Sequence, residues 1–159
     1  MKNSEIRKGK VNAISISEKK GTGKTNVESA VLKEDFGIVG DAHGGAGLRQ
    51  VSLLAIESIK KQVGCSKAGK DGMPLGPGDF AENITTEGIK VAGLMIGDRL
   101  NIGGRAILEI TKIGKECHKF CAIYEKTGDC IMPREGIFAR VVKGGTIVKG
   151  EGIEVIDYE

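Results

Sequence analysis

Arg99-Leu-Asn-Ile-Gly-Gly-Arg-Ala-Ile-Leu-Glu-Ile-Thr-Lys-Ile113 decides the fold. It reads as two short strands, Arg99 to Ile102 and Ala106 to Ile113, joined across a Gly-Gly turn pair. The same grammar extends outward in both directions. Further strands are predicted near Lys10 to Ser17, Ser29 to Lys33, Arg49 to Leu54, Phe80 to Thr85, Ile137 to Val142 and Gly152 to Ile156. Helical spacing of Ile56, Ile59 and Val63 predicts one amphipathic helix over Ala55 to Val63, with Gly64 as its stop. Cys117 to Glu125 offers a second short helix. Regularly spaced short strands are best accommodated by closing the sheet, which leaves no exposed edge. The expectation is a mainly β protein, a closed or partly closed β-barrel with a few short helices, forming a single domain over residues 1–159.

Composition supports this reading and narrows the function. Ile and Val together number 30 against 8 Leu, a bias toward stiff β-branched side chains that suit a pleated sheet. Gly is 25 of 159 while Pro is only 3, so the glycines serve turns rather than a linker. The net charge of +3, from 24 basic and 21 acidic residues, is no concentrated basic patch, and six aromatics without Trp provide few base-stacking platforms. Nucleic acid is therefore a disfavoured partner. No run approaches the roughly 18 apolar residues of a spanning helix, and the polar, basic stretch Met1 to Lys10 is followed by no apolar signal region. The expected location is the cytoplasm, with no membrane partner.

Chemistry-bearing residues gather in four places. Gly21-Thr-Gly-Lys-Thr25 looks like the end of a phosphate-binding loop, but position 18 is Glu where that motif needs Gly, so a polar hairpin loop is the reading adopted. Asp41 and His43 lie in a Gly-rich turn where they can meet a ligand, although Asp in such a turn commonly bonds its own backbone. Glu82 and Asn83 interrupt a strand that should be apolar, which points one of the pair at a pocket. The densest cluster is Lys115-Glu-Cys-His-Lys-Phe-Cys121, followed by Cys130. Cys117 has Lys115, His118 and Lys119 nearby and opens the second helix, both of which favour a thiolate. Cys65 stands at a helix end and Cys130 beside Asp129, so inert packing suits these two. A zinc or iron–sulfur site built from Cys117, His118, Cys121 and Cys130 is the alternative, although the spacing lacks the usual C-x2-C knuckle.

Read in order, Gly37-Ile-Val-Gly-Asp-Ala-His43, Arg49-Gln-Val-Ser-Leu-Leu54, Gly78-Asp-Phe-Ala-Glu-Asn-Ile-Thr85, Ile96-Gly-Asp-Arg-Leu100 and Ile110-Thr with a later Cys117 resemble the MOSC domain, the C-terminal domain of molybdenum cofactor sulfurases. The resemblance runs from about Lys10 to Ile156. It implies a β-rich barrel and a Cys, here Cys117, that binds molybdenum or carries sulfur as both catalytic residue and metal ligand. The implied cofactor is molybdopterin-bound molybdenum, with its phosphate near Arg49 or Lys115 and its pterin edge near Glu82 and Asn83. Asp41, His43 and His118 complete the implied binding set. Pyridoxal phosphate accompanies the wider family and is not expected on this chain alone. The implied partners are proteins of molybdenum-cofactor biosynthesis or sulfuration, and a non-catalytic module that delivers or stores the cofactor for a separate enzyme is somewhat favoured over an enzyme.

Overall fold

Alternation of apolar and polar side chains gives each strand of this chain a dry face and a wet face, and closing the sheet brings the dry faces together. The computed structural model describes residues 8–18, 24–42, 44–45, 47, 49–60, 76–78, 80, 82–89, 91–114 and 136–156. Its strands are β1 (Lys8–Ile16), β2 (Thr25–Val27), β3 (Ser29–Lys33), β4 (Gly37–Ile38), β5 (Val51–Ala55), β6 (Ile84–Glu87), β7 (Arg99–Ile102), β8 (Ala106–Ile113), β9 (Ile137–Lys143), β10 (Gly145–Val148) and β11 (Gly152–Ile156). The main sheet runs β11-β7-β8-β9-β5-β6-β1-β2, and a further pairing of β11 with β1 closes it into a barrel. β2 extends beyond the closure, and β10-β3-β4 form a small separate sheet.

The interior is filled by β-branched and Leu side chains. Val11, Ile14, Leu53, Ile84, Leu100 and Leu108 are all fully buried and belong to one core cluster. β5 is buried at every position, because its inner residues Val51, Leu53 and Ala55 join the core while Ser52 and Leu54 are covered on the outside. It pairs antiparallel with β9 and parallel with β6. Parallel pairing requires a crossover rather than a hairpin, and the chain between Ala55 and Ile84 supplies it. A helix occupies 56–60 at the start of that crossover.

The mainly β barrel is as expected, and the bounds of β3, β7, β8 and β11 coincide with the sequence reading. Three corrections follow from tertiary contacts. The strand expected over Phe80 to Thr85 begins only at Ile84, because the stretch before it is bent by turns around Gly78 (φ 91°) and Phe80. The helix expected from Ala55 starts after it, since Ala55 pairs with Thr86 as the last residue of β5. β2, β4 and β10 were not expected at all; each is short, and each is defined by the strand it pairs with. The second helix expected over Cys117 to Glu125 lies outside the described residues. Among the described residues no helix is long and apolar enough to cross a membrane.

Replacing Leu53 by Ala should cost about 3 kcal/mol, as large-to-small changes in a packed interior do. Val31→Ala, at a position 48% exposed, should stay within about 0.5 kcal/mol. Urea midpoints that fall equally in the two variants would contradict this assignment of interior and surface.

Candidate functional site

Strand register places a continuous polar row on the outer face of the barrel. Ile137, Ala139 and Val141 of β9 point into the core, so Phe138 and Arg140 point outward. Phe138 lies opposite Lys112 on β8 and opposite Ser52 on β5. Asn83 continues the row, one residue ahead of β6. Its Oδ1 accepts from the Ser52 backbone N–H (3.0 Å) and hydroxyl (3.2 Å), and its Nδ2 donates to the Ser15 carbonyl of β1 (3.1 Å). Asn26 of β2 then donates to the Ser15 hydroxyl (2.7 Å) and to the Pro77 carbonyl (3.0 Å). Ser15, Ser52 and Asn83 are buried although they face away from the core. Each needs a protein partner, and the row supplies one.

Glu82 sits beside this row with its carboxyl fully buried. Oε2 accepts from the Gly78 N–H (3.0 Å) and the Thr85 hydroxyl (2.8 Å), whereas Oε1 has no hydrogen-bond partner among the described residues. Desolvation raises the pKa to about 7, against the lowering effect of the Gly78 and Thr85 hydrogen bonds. Gly78 is required where it stands. A β-carbon there would overlap the Lys24 carbonyl and crowd the Ser15 hydroxyl, and its φ of +91° is one that other residues resist.

Asp41 meets a partner that the sequence reading passed over. Lys24 Nζ lies 2.7 Å from Asp41 Oδ1, and both side chains are wholly buried. Lys24 also donates to the Ser17 hydroxyl (3.0 Å), while the Ser17 N–H donates to the same Asp41 oxygen (3.0 Å). The Lys24 N–H in turn donates to the Gly78 carbonyl (2.8 Å). Asp41, Lys24, Gly78 and Glu82 are thus one hydrogen-bonded cluster, and Asn83 adjoins it in the chain. Asp41 is engaged in pinning its turn to the β1–β2 hairpin, and the loop read as polar does connect that hairpin. Lys24 carried no local signal, because the contact that buries it comes from a turn distant in sequence.

Arg49 is exposed and stacks over the Phe138 ring, with its guanidinium carbon 5.6 Å from the centroid. Gln50 is fully buried next to it: Oε1 accepts from the Val141 N–H (3.0 Å), and Nε2 donates to Asp35 (2.9 Å) and to the Gly47 carbonyl (3.2 Å). The sequence reading missed Gln50, whose side chain replaces backbone bonds that the turn cannot make. His43, Lys115, Cys117, His118, Cys121, Cys130 and Cys65 lie outside the described residues. The chain leaves the described barrel after Gly114, which donates to the Gly136 carbonyl (2.8 Å) and so closes the neck between β8 and β9. Among the described residues no group of His, Cys, Asp and Glu has the makings of a metal site.

Glu82 should make stability fall as pH rises. Its folded-state pKa of about 7 exceeds the ordinary 4.5, so the folded form keeps a proton that the unfolded form gives up. The favourable contribution is complete below pH 4.5 and lost by pH 7, a change on the order of 3 kcal/mol. Glu82→Gln should flatten the pH dependence of the urea midpoint across this window. The wild-type slope persisting in that variant would contradict the assignment.

Comparison with known proteins is informative at the level of family and fold. A family model described as the MOSC domain matches residues 40–154. The YuaD protein of Bacillus subtilis is similar over 96% of this chain and 97% of its own, with a TM-score of 0.68 and 20% identity. YiiM from Escherichia coli is similar over 94% of this chain and 71% of its own (TM-score 0.66, 16% identity). YiiM from Geobacillus stearothermophilus is similar over 94% and 75% (TM-score 0.69, 18% identity). No curated protein matches the sequence. With a family match over most of its length, the chain belongs to the MOSC domain family.

Proposed function

We propose that the protein binds the molybdenum cofactor, or carries sulfur for it, through Cys117. The observation that supports this most is what the cluster leaves unused: Glu82 Oε1 has no partner and Arg49 has no carboxylate partner among the described residues, on a barrel of a family associated with molybdenum cofactor sulfurase-type domains. A molybdenum–pterin group presents complementary chemistry. Its pterin edge is rich in N–H donors, its phosphate is anionic, and its metal takes a soft thiolate.

In this reading Arg49 or Lys115 takes the phosphate. Asn83 holds the adjoining strands while Glu82, with its second oxygen uncommitted, is available for a hydrogen bond to the pterin edge, and Asp41 contributes through its ion pair with Lys24 by fixing the turn that leads to His43. Cys117, with Lys115 and His118 close in sequence, supplies the thiolate. When bound, the cofactor supplies a redox-active metal centre. The partners of such a protein are those that make the cofactor or add sulfur to it, and pyridoxal phosphate has no part in the proposal.

The test is purification from a host that makes the cofactor, followed by molybdenum analysis and fluorescence of the oxidised pterin. Wild type should carry both in equal amounts, and Cys117→Ser should lose them with its melting temperature unchanged. A mass increase of one sulfur atom on Cys117 would support the carrier form of the proposal. Full loading of Cys117→Ser, or stoichiometric zinc or iron in place of molybdenum, would contradict it.

A further inference from the structure

β2 is the last strand of the main sheet and pairs only with β1, so among the described residues no strand lies along its outer edge. Pro77 and Gly78 cover the head of that edge instead. The Pro77 carbonyl accepts from the Asn26 side-chain amide (3.0 Å), and the Gly78 carbonyl accepts from the Lys24 N–H (2.8 Å). The approach is close, since a β-carbon on Gly78 would overlap the Lys24 carbonyl. These two residues form a short strap across the β1–β2 hairpin, held by a few single bonds and not by a strand ladder.

The remaining tie on the strap is Glu82. Its Oε2 accepts from both the Gly78 N–H and the Thr85 hydroxyl, which occupies the two lone pairs of that oxygen. The proton of the neutral acid therefore sits on Oε1, the oxygen without a partner among the described residues. Around the strap β6 presents Thr85, β1 presents Ser15, and β2 presents Asn26 and Lys24. Only Lys24 is charged, and Asp41 matches it at 2.7 Å. An ionised Glu82 thus has no ion-pair partner to offset its burial, and burial is the largest influence on its proton. Solvation of the charge requires the carboxyl to leave its place, and the bond to Gly78 goes with it.

We propose that Glu82 is a proton-linked latch on the Pro77–Gly78 strap: protonated, it stays buried and holds Gly78 against β2, and ionised, it moves to solvent and frees Gly78 and Lys24 together. The proton goes to bulk water, and no other reactant takes part. The closed form keeps its proton to about pH 7 and the open form gives it up near 4.5, so closure weakens as pH rises through this window. The latch stands without a ligand; that its release gives a ligand access to Glu82 rests on the cofactor reading.

Amide hydrogen exchange on the metal-free wild-type protein tests this, with each rate divided by its intrinsic rate at the same pH. Protection at Gly78 and Lys24 should lie below that of Ile110 on β8, whose N–H is held by the Asp98 carbonyl. It should fall at both amides together, by roughly thirtyfold from about pH 5 to about pH 7, and then level off. Glu82→Gln keeps an acceptor for the Gly78 N–H and cannot ionise, so protection at the two amides should no longer vary with pH. The wild-type comparison stands by itself should that variant fold poorly. Wild-type protection that is independent of pH, that follows different pH courses at Gly78 and Lys24, or that equals Ile110 throughout would overturn the latch. Molybdenum content is measured separately: a pH-linked strap without molybdenum loading sinks only the cofactor reading, and loading with a pH-independent strap sinks only the latch.

Discussion

The side-chain amide of Asn83 is the constraint on which this end of the barrel depends. β6 begins only at Ile84, and one step earlier the Asn83 main chain spans β1 and β5 on its own, accepting from the Ser15 N–H (2.7 Å) and donating to the Ser52 carbonyl (3.0 Å). That leaves the Ser52 N–H and the Ser15 carbonyl, which without the Asn83 side chain would be buried without these partners, a cost of about 1–3 kcal/mol for each orphan. Asn83 meets the need by giving the Ser52 N–H an acceptor and the Ser15 carbonyl a donor. Only a side chain with both functions at one end can do this. Asp lacks the donor and a hydrophobe lacks both.

Around that tie the structure concentrates buried polarity where a barrel would ordinarily be apolar. The Lys24–Asp41 pair pins the turn after β4 to the β1–β2 hairpin, and Gly78 lets the crossover pass close enough to hydrogen-bond with Lys24 and Glu82. Buried ion pairs contribute little net stability against an apolar core, but removing one partner strands the other at a cost of about 3–5 kcal/mol. The pair therefore fixes one arrangement of the loops. Glu82 goes further, since one of its oxygens is left unpartnered and its proton is held to near-neutral pH by burial. Polar groups buried incompletely satisfied are costly, and they are characteristic of sites kept for a ligand.

How much of this was legible depends on how local the determinants are. β7 and β8 could be bounded from sequence because alternation and the Gly103-Gly104 turn are both local. β4 and β10 could not, since two to four residues hold no period and exist as strands only by pairing with β3. Glu82 and Asn83 stand out as polar residues in a stretch otherwise read as a strand; the structure links Glu82 to Asp41 through Gly78 and Lys24, and Asn83 to Ser15 and Ser52. Their roles were not legible, because Asn83 acts on two strands remote in sequence and Asp41 on a lysine in a loop. Arg49 was identifiable as a cation within a motif, but its aromatic support, Phe138, arrives from β9.

The tie through Asn83 is tested most directly by amide hydrogen exchange in Asn83→Ala. Ser52 loses its side-chain acceptor in that variant. Its amide should exchange at least about tenfold faster, as loss of about 1.4 kcal/mol of local protection implies, while amides of the β7–β8 hairpin hold their wild-type rates. An unchanged Ser52 amide, or equal acceleration around the whole barrel, would contradict the account.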